Sequence, residues 1–174
     1  DCDFDPGAEA LVLIDVGEIE FSYFEGSGWI SSTKYRKRIK ILKANALERS
    51  EIKMQYMSLN KSENIEDIKA VSFNLDPSGN IIKTELEKKA IYRKAIDKNF
   101  TEISFAIPDV KIGSVFEYDY TVLRKTYSYI PSWYFQRKIP VRYSAYNLII
   151  PGYFQFTFEL HKRQVVEKKE SSGV

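Results

Sequence analysis

The residues best equipped for nucleophilic catalysis are Cys2 and His161, the sole cysteine and the sole histidine of the 174-residue chain. A cysteine nucleophile needs a base, usually histidine, and a third group that orients the base. These two residues stand near opposite ends of the sequence, so pairing them would require the ends to meet. One cysteine and one histidine are also too few for a zinc site. We therefore expect no catalytic residue, no metal and no cofactor, and interpret the chain as a non-enzyme.

Carboxylates offer two weaker possibilities. Asp1, Asp3 and Asp5 alternate and would share one face of an extended segment, but they lack the glycine and the distal glutamate of a calcium loop. Glu117 and Asp119 would lie about 7 Å apart on one strand face, a separation that glycosidases also use. Glycosidases usually place their two carboxylates on separate elements across a cleft. A solvated N-terminal arm and an outward polar strand face are the favoured interpretations.

The densest basic run of the chain lies between Lys34 and Lys43. On a strand, Arg36, Arg38 and Lys40 would share one face while Lys37 points to the other. Such a stripe would suit a polyanion, such as an acidic polysaccharide, a lipid headgroup or the acidic patch of a protein. The more common meaning is a solvated strand face, or charge that protects a sheet edge from aggregation.

Aromatic residues provide the second candidate for binding. Trp133, Tyr134 and Phe135 are consecutive, and successive strand residues point to opposite faces, so the three cannot all enter one core. We expect this segment to contribute to an interface with a second domain. A flat platform for sugar rings is the alternative. The aromatics near predicted turns that would serve it are Trp29, Tyr127, Tyr129, Trp133, Tyr134 and Tyr153.

Composition excludes some partners and favours one fold class. The chain has 26 basic and 24 acidic residues and thus a net charge of +2. This charge is too small to indicate nucleic acid as a binding partner. No apolar run approaches the roughly 20 residues of a membrane-spanning helix, so no membrane span is expected. The content of 12 tyrosines and 11 phenylalanines favours sheet, because these side chains pack well on a pleated surface.

Alternation of apolar and polar residues with a period of two recurs along the chain and predicts many short strands. The clearest predicted strand runs from Phe154 to Leu160, and others include Val71 to Leu75 and Phe116 to Val122. Turn-forming residues separate them, as in Asp76-Pro77-Ser78-Gly79-Asn80. This pattern predicts an all-β domain over residues 1–160, an antiparallel sandwich of two packed sheets. Residues 161–174 are predicted to be a charged tail or a linker toward a downstream domain.

Three segments of the sequence resemble a known family. Ile107 to Tyr120, Trp133 to Val141, and Ser144 to Tyr146 with Ile150-Pro151 are similar to a bacterial domain of unknown function. Its members lie N-terminal to transglutaminase-like domains in exported proteins. The resemblance implies an immunoglobulin-like β-sandwich without catalytic residues, in a protein that is secreted, periplasmic or in the cell envelope.

Together these observations predict a non-catalytic accessory module of a larger exported bacterial protein. Its expected partner is a downstream transglutaminase- or cysteine-protease-like domain of the same chain, with a role in docking or in presenting a protein or peptide substrate. The alternative is a carbohydrate-binding module that uses exposed aromatics and the basic strand.

Overall fold

The computed structural model describes residues 2–3, 5–157, 159, 161, 167 and 169, and strands account for nearly all of their regular structure. Short 3₁₀ turns at Ala44–Ser50, Leu59–Lys61 and Lys88–Ala90 interrupt them. The described strands are β1 (Ala10–Phe24), β2 (Gly28–Ile41), β3 (Glu51–Met57), β4 (Glu63–Leu75), β5 (Ile81–Glu85), β6 (Tyr92–Ala95), β7 (Phe100–Ala106), β8 (Val115–Arg124) and β9 (Ser144–Ile149). In this part of the chain no helix is long and apolar enough to cross a bilayer.

The strands form two sheets. The larger sheet has six strands in the order β5-β4-β8-β2-β1-β9, and the smaller has three in the order β3-β7-β6. Neighbouring strands are antiparallel except for β1 and β9, which run parallel. The predicted all-β sandwich of two mainly antiparallel sheets is therefore confirmed. The immunoglobulin-like topology stays a prediction.

Two turns close hairpins of the large sheet, and the second of them was predicted from the sequence. Between β1 and β2, Gly26 and Gly28 adopt φ angles of 81° and 74°, which side chains of other residues tolerate poorly. Between β4 and β5, the Asp76 carboxylate accepts hydrogen bonds from the backbone N–H groups of Ser78 and Asn80, each at 2.8 Å. These turns set the registers that decide which side chains share a face.

The inner face of the six-stranded sheet carries the core. Ile41, Phe116 and Ile103 are completely buried where the three-stranded sheet packs over this face. Irregular chain covers another part of it, since Trp133 stacks on Tyr35 of β2. A β-bulge at Leu13 shifts the register of β1, so Val12 and Asp15 both lie on the inner face, opposite Ile39 and Lys37.

The strand predicted from Phe154 to Leu160 is wrong for its described residues. Residues 154–157 adopt no strand, while Phe158 and Leu160 lie outside the described residues. The rings of Phe154 and Phe156 instead pack against Phe21 of β1, with centroids 5.7 and 5.6 Å away. Period-two alternation indicates that every second side chain contacts an apolar surface. An extended segment that lies on a sheet without pairing to it can produce the same alternation as a strand. Most of the predicted 161–174 tail also lies outside the described residues.

Candidate functional site

Five aromatic rings form a continuous stack across the inner face of the large sheet, and we call this row the aromatic ladder. In order, its members are Tyr118, Tyr120, Tyr35, Trp133 and Tyr146. Successive ring centroids lie 6.3, 4.9, 6.1 and 4.9 Å apart, and neighbouring planes differ by at most 19°. The ladder thus ties β8, β2 and β9 to the irregular segment that carries Trp133.

Gly17 provides the space that Trp133 occupies. It lies between Tyr35 of β2 and Tyr146 of β9 in the register of the sheet. A Cβ atom at Gly17 would lie only 2.6 Å from Cζ3 of Trp133 and 2.8 Å from Cδ2 of Tyr146. The Trp133 indole N–H donates a 2.9 Å hydrogen bond to Ser144 Oγ, which fixes the ring in this place.

Asp15, Lys37 and Arg137 form a buried group of charges beside the ladder, and we call it the ion cluster. The Asp15 side chain is 5% exposed, and its Oδ2 atom lies 3.2 Å from Lys37 Nζ and 3.3 Å from Arg137 Nε. Asp15 and Lys37 are direct cross-strand neighbours, whereas Arg137 comes from irregular chain. Burial lowers the pKa of Lys37, Asp15 opposes that shift, and nearby Arg137 adds to it. The cluster contains two cations and one carboxylate.

The phenols of the ladder hold their protons tightly. Burial raises the pKa of Tyr118 to about 12, and the negative charge of Asp15 adds to the shift. Burial also raises the pKa values of Tyr35, Tyr120 and Tyr146. These side chains therefore stay protonated at neutral pH, where they can pack and donate hydrogen bonds but supply no phenolate.

A cavity of about 190 Å³ opens between the ladder and the ion cluster. Its walls include Asp15, Lys37, Tyr118, Trp133 and Arg137. At roughly 30 Å³ per water molecule, this space matches about six waters or a single side chain. A wider groove of about 560 Å³ runs along residues 136–142, but apart from Asp5 that single stretch of chain lines it.

The consecutive aromatics predicted as an interface have different environments. Trp133 is half-buried in the ladder and Phe135 is half-buried as well. Tyr134 is 64% exposed, and the Arg137 guanidinium lies 5.9 Å from the centre of its ring. Only Tyr134 of the three presents most of its surface to solvent.

The predicted basic stripe lies on the outer face of the large sheet. Arg36 and Arg38 contact Glu117 of β8, with N–O distances of 2.8 and 2.7 Å to its two carboxylate oxygens. Lys40 shares this face and is half-buried, opposite Val115. Strand β2 is interior in the sheet, so the interpretation that its charge protects a sheet edge is wrong. Glu117 contacts both arginines through its two oxygens, although its single negative charge offsets only one of theirs.

The other candidate chemistries are placed as follows. Cys2 is buried beside Ala8 and Leu11, and the exposed His161 lies 3.2 Å from Glu159. Asp3 accepts a 2.7 Å hydrogen bond from Arg142, and Asp1 lies outside the described residues. Among the described residues no group of acidic, cysteine or histidine side chains is arranged to hold a metal ion.

No sequence pattern assigned Asp15, Gly17 or Tyr146 to a site. A signal was present for Asp15, because it is the only charged residue in the apolar run from Leu11 to Val16. A carboxylate in such a run indicates a buried ion pair, since isolated buried charges are very costly. Nothing in the sequence marked Gly17, because its function depends on a residue 116 positions away.

A second group of aromatic rings lies at the β1–β2 hairpin, and we call it the hairpin aromatic cluster. It consists of Tyr23, Trp29, Tyr127, Tyr153 and Phe154, whose neighbouring centroids are 4.8–5.7 Å apart. Tyr23, Tyr127 and Tyr153 are 63%, 53% and 69% exposed. The cluster is therefore an accessible apolar surface.

Comparison with known proteins identifies the kind of domain. A family model for DUF3857, a domain of unknown function with solved structures, matches residues 31–173. One similar solved structure is a presumed protease from Parabacteroides distasonis, with a TM-score of 0.52 and 15% sequence identity. The match covers 70% of this chain but 24% of that one, and at this identity it shows a shared fold alone. No curated protein matches the sequence. The position before a transglutaminase-like domain stays a prediction.

Proposed function

Because the chain belongs to the DUF3857 family, we propose that it is a non-catalytic accessory domain of a larger exported bacterial protein. In this proposal it precedes a transglutaminase- or cysteine-protease-like domain in a protein that is secreted, periplasmic or in the cell envelope. It packs against that domain and helps to present a protein or peptide substrate to it.

The similar solved structure supports two parts of this proposal, namely that the parent protein is longer than this domain and that it contains a protease-like domain. The shared fold makes up only 24% of the chain of that presumed protease, so there it is one part of a longer protein. In such a protein, this domain would pack against the catalytic domain and help to hold the substrate, while the catalytic residues would lie in the other domain.

The observation that carries the proposal is the exposed hairpin aromatic cluster. Exposed apolar patches on soluble domains mark interaction sites, and tyrosine and tryptophan dominate the energetics of such sites. No member of the cluster is charged, so it suits an apolar surface rather than an ionic one. Tyr153 and Phe154 follow the last described strand, so the chain passes through this surface after the sheet is complete and before any downstream domain.

The carbohydrate-binding alternative receives less support from the same rings. A sugar ring stacks on a flat platform of coplanar aromatic side chains. Within the hairpin aromatic cluster, Trp29 meets Tyr23, Tyr153 and Phe154 at angles of 61°, 55° and 64°. In the aromatic ladder the rings lie against one another, so their faces are already covered. Tyr127 and Phe154 differ by only 16°, but they stack on each other. Neither group therefore places coplanar rings side by side for a sugar.

The docking surface is tested in the full-length parent protein with the variant Tyr23→Ser/Tyr153→Ser. We expect the linker after this domain to be cleaved by added protease at least several-fold faster, because the two domains no longer hold together. Tyr92→Ser is the matched control, since Tyr92 is 66% exposed on β6 of the other sheet. Equal cleavage of all three proteins would contradict docking at this surface.

The non-catalytic role is tested separately by Cys2→Ser/His161→Ala in the same parent protein. We expect its peptidase or transglutaminase activity to be unchanged, because the proposal places all catalytic groups outside this domain. A loss of activity with the fold intact would contradict it.

A further inference from the structure

The cavity between the aromatic ladder and the ion cluster has the features of a small binding site. We infer that it binds a peptide carboxylate, carried either by an acidic side chain or by a chain terminus. The inference depends on the charge around Asp15, on unused hydrogen-bond donors and on the size and walls of the cavity.

The cluster has a surplus of positive charge. Lys37 and Arg137 both approach the same oxygen of Asp15, at 3.2 and 3.3 Å. Charge-assisted hydrogen bonds are usually nearer 2.7–2.9 Å. On the outer face, by contrast, Glu117 accepts one arginine on each oxygen at 2.8 and 2.7 Å. The inner cations are therefore less fully satisfied than the outer ones.

The two cations also have donors to spare. An ammonium group has three N–H donors and a guanidinium has five. Within the described part of the chain, Arg137 donates a single hydrogen bond, from Nε to Asp15. Its side chain is 38% exposed, so its remaining N–H groups are accessible to a ligand. A second carboxylate entering the cavity would accept hydrogen bonds from both residues.

The cavity suits a monoanion on a short apolar arm. One surplus charge matches a carboxylate better than a phosphate dianion. The faces of Tyr118, Tyr120 and Trp133 lie in the stack, so the edges of these rings would contact the methylene groups beside the charge. The exposed Ser132 and Tyr134 form the rim. Burial and nearby Arg137 lower the pKa of Lys37, and the negative charge of a bound carboxylate would act in the opposite direction, as that of Asp15 does. The choice of a peptide over other carboxylates rests on the proposed function.

The test follows the indole N–H of Trp133 by NMR, because this group lies in the ladder beside the cavity. Trp29 and Trp133 are the two tryptophans of the chain, and a Trp29→Phe variant assigns their signals. The probes are acetyl-Ala-Glu-Ala-amide for the side chain, acetyl-Ala-Ala-Ala with a free C-terminus, and acetyl-Ala-Gln-Ala-amide as the neutral control. Glucuronate and inorganic phosphate test other anions.

We expect at least one carboxylate peptide to shift the Trp133 signal saturably, while the glutamine peptide does not. The two carboxylate peptides distinguish the side chain from the terminus. Arg137→Gln and Lys37→Met should each weaken binding about tenfold or more, the usual effect of losing a hydrogen bond between charged groups. Arg38→Gln is the control, because Arg38 is 33% exposed on the opposite face of the sheet.

The inference is overturned if no peptide shifts the Trp133 signal, if the glutamine peptide binds as well as the glutamate peptide, or if only glucuronate or phosphate binds. Equal binding by Arg137→Gln, Lys37→Met and Arg38→Gln would also overturn it. The docking test uses the hairpin aromatic cluster and a different readout. Docking and peptide binding can therefore fail independently.

Discussion

The indole of Trp133 lies where a side chain at Gly17 would begin, with only 2.6 Å between Cζ3 of the indole and an added Cβ atom. Real side chains do not approach this closely, so any residue larger than glycine must displace the tryptophan. Gly17 therefore fixes both the aromatic ladder and one wall of the cavity.

Gly17→Ala should lower the free energy of unfolding by roughly 1–3 kcal/mol, the usual cost of overpacking. Chemical denaturation followed by circular dichroism measures it. Gly152→Ala is the control, because a Cβ atom there meets nothing within 4 Å. If Gly17→Ala costs as much in a Trp133→Ala background as in the wild type, the close approach of these residues is not the cause.

Asp15→Asn should be the most destabilising change in the ion cluster. It leaves Lys37 and Arg137 without their carboxylate. Breaking a fully buried ion pair in this way costs about 3–5 kcal/mol, and the cost here should be smaller because the Arg137 side chain is 38% exposed. Lys37→Met should cost less, because Arg137 remains beside Asp15. Urea unfolding measures the loss of unfolding free energy in each variant. A larger loss in Lys37→Met than in Asp15→Asn would contradict the role of Asp15 as the shared partner.

Tyr118 should make the fold sensitive to alkaline pH. Its folded-state pKa is about 12, against 10.0 in the unfolded chain, so the unfolded state loses the phenol proton first. The resulting stabilisation is complete below pH 10 and is lost as pH rises to about 12. Two pKa units correspond to roughly 3 kcal/mol. Lys37 has the opposite sign, because its lowered pKa favours the folded state as pH rises.

Tyr118→Phe removes this one contribution and leaves that of Lys37 in place. We expect similar stabilities at pH 7, and a smaller loss of stability in the variant than in the wild type between pH 9 and pH 11.5. Urea unfolding across this range measures the difference. Parallel pH profiles for the two proteins would show that the Tyr118 phenol ionises as it does in the unfolded chain.

Glu117→Gln tests the basic stripe. Removing the carboxylate releases Arg36 and Arg38, which now contact its two oxygens. We expect the variant to elute from a heparin column at clearly higher salt than the wild type, because both guanidinium groups become available to a polyanion once the carboxylate that they share is removed. Glu25→Gln, at an exposed residue of the β1–β2 turn, controls for the change in net charge. Equal retention of the Glu117 and Glu25 variants would show that Glu117 does not restrain the stripe.

Local sequence patterns predicted the sheets but not the site. The alternation that places Arg36, Arg38 and Lys40 opposite to Lys37 is a property of one strand, and the registers of β2 with β1 and β8 confirm it. Likewise, the Asp76–Asn80 turn forms because its residues interact with one another. Such features need only neighbouring residues.

The aromatic ladder and the ion cluster depend on contacts between distant residues. Trp133 and Arg137 lie in a segment without regular structure, where Trp133 packs on Gly17 and Arg137 donates a hydrogen bond to Asp15. No periodicity in the sequence therefore indicates either contact. The failed strand at Phe154 has the same origin. Its alternating rings pack on the side chain of Phe21, whereas a strand would also pair its backbone with a neighbouring strand. Both arrangements produce the same alternation in the sequence.

Hydrogen–deuterium exchange of the β1–β2 hairpin, measured in this chain alone and within the full-length parent protein, tests the accessory-domain proposal most directly. We expect peptides containing Tyr23 and Trp29 to exchange more slowly in the parent, because the hairpin aromatic cluster is covered there, while peptides containing Tyr92 of β6 exchange equally in both. Equal exchange at the hairpin in the two proteins would contradict docking at this surface.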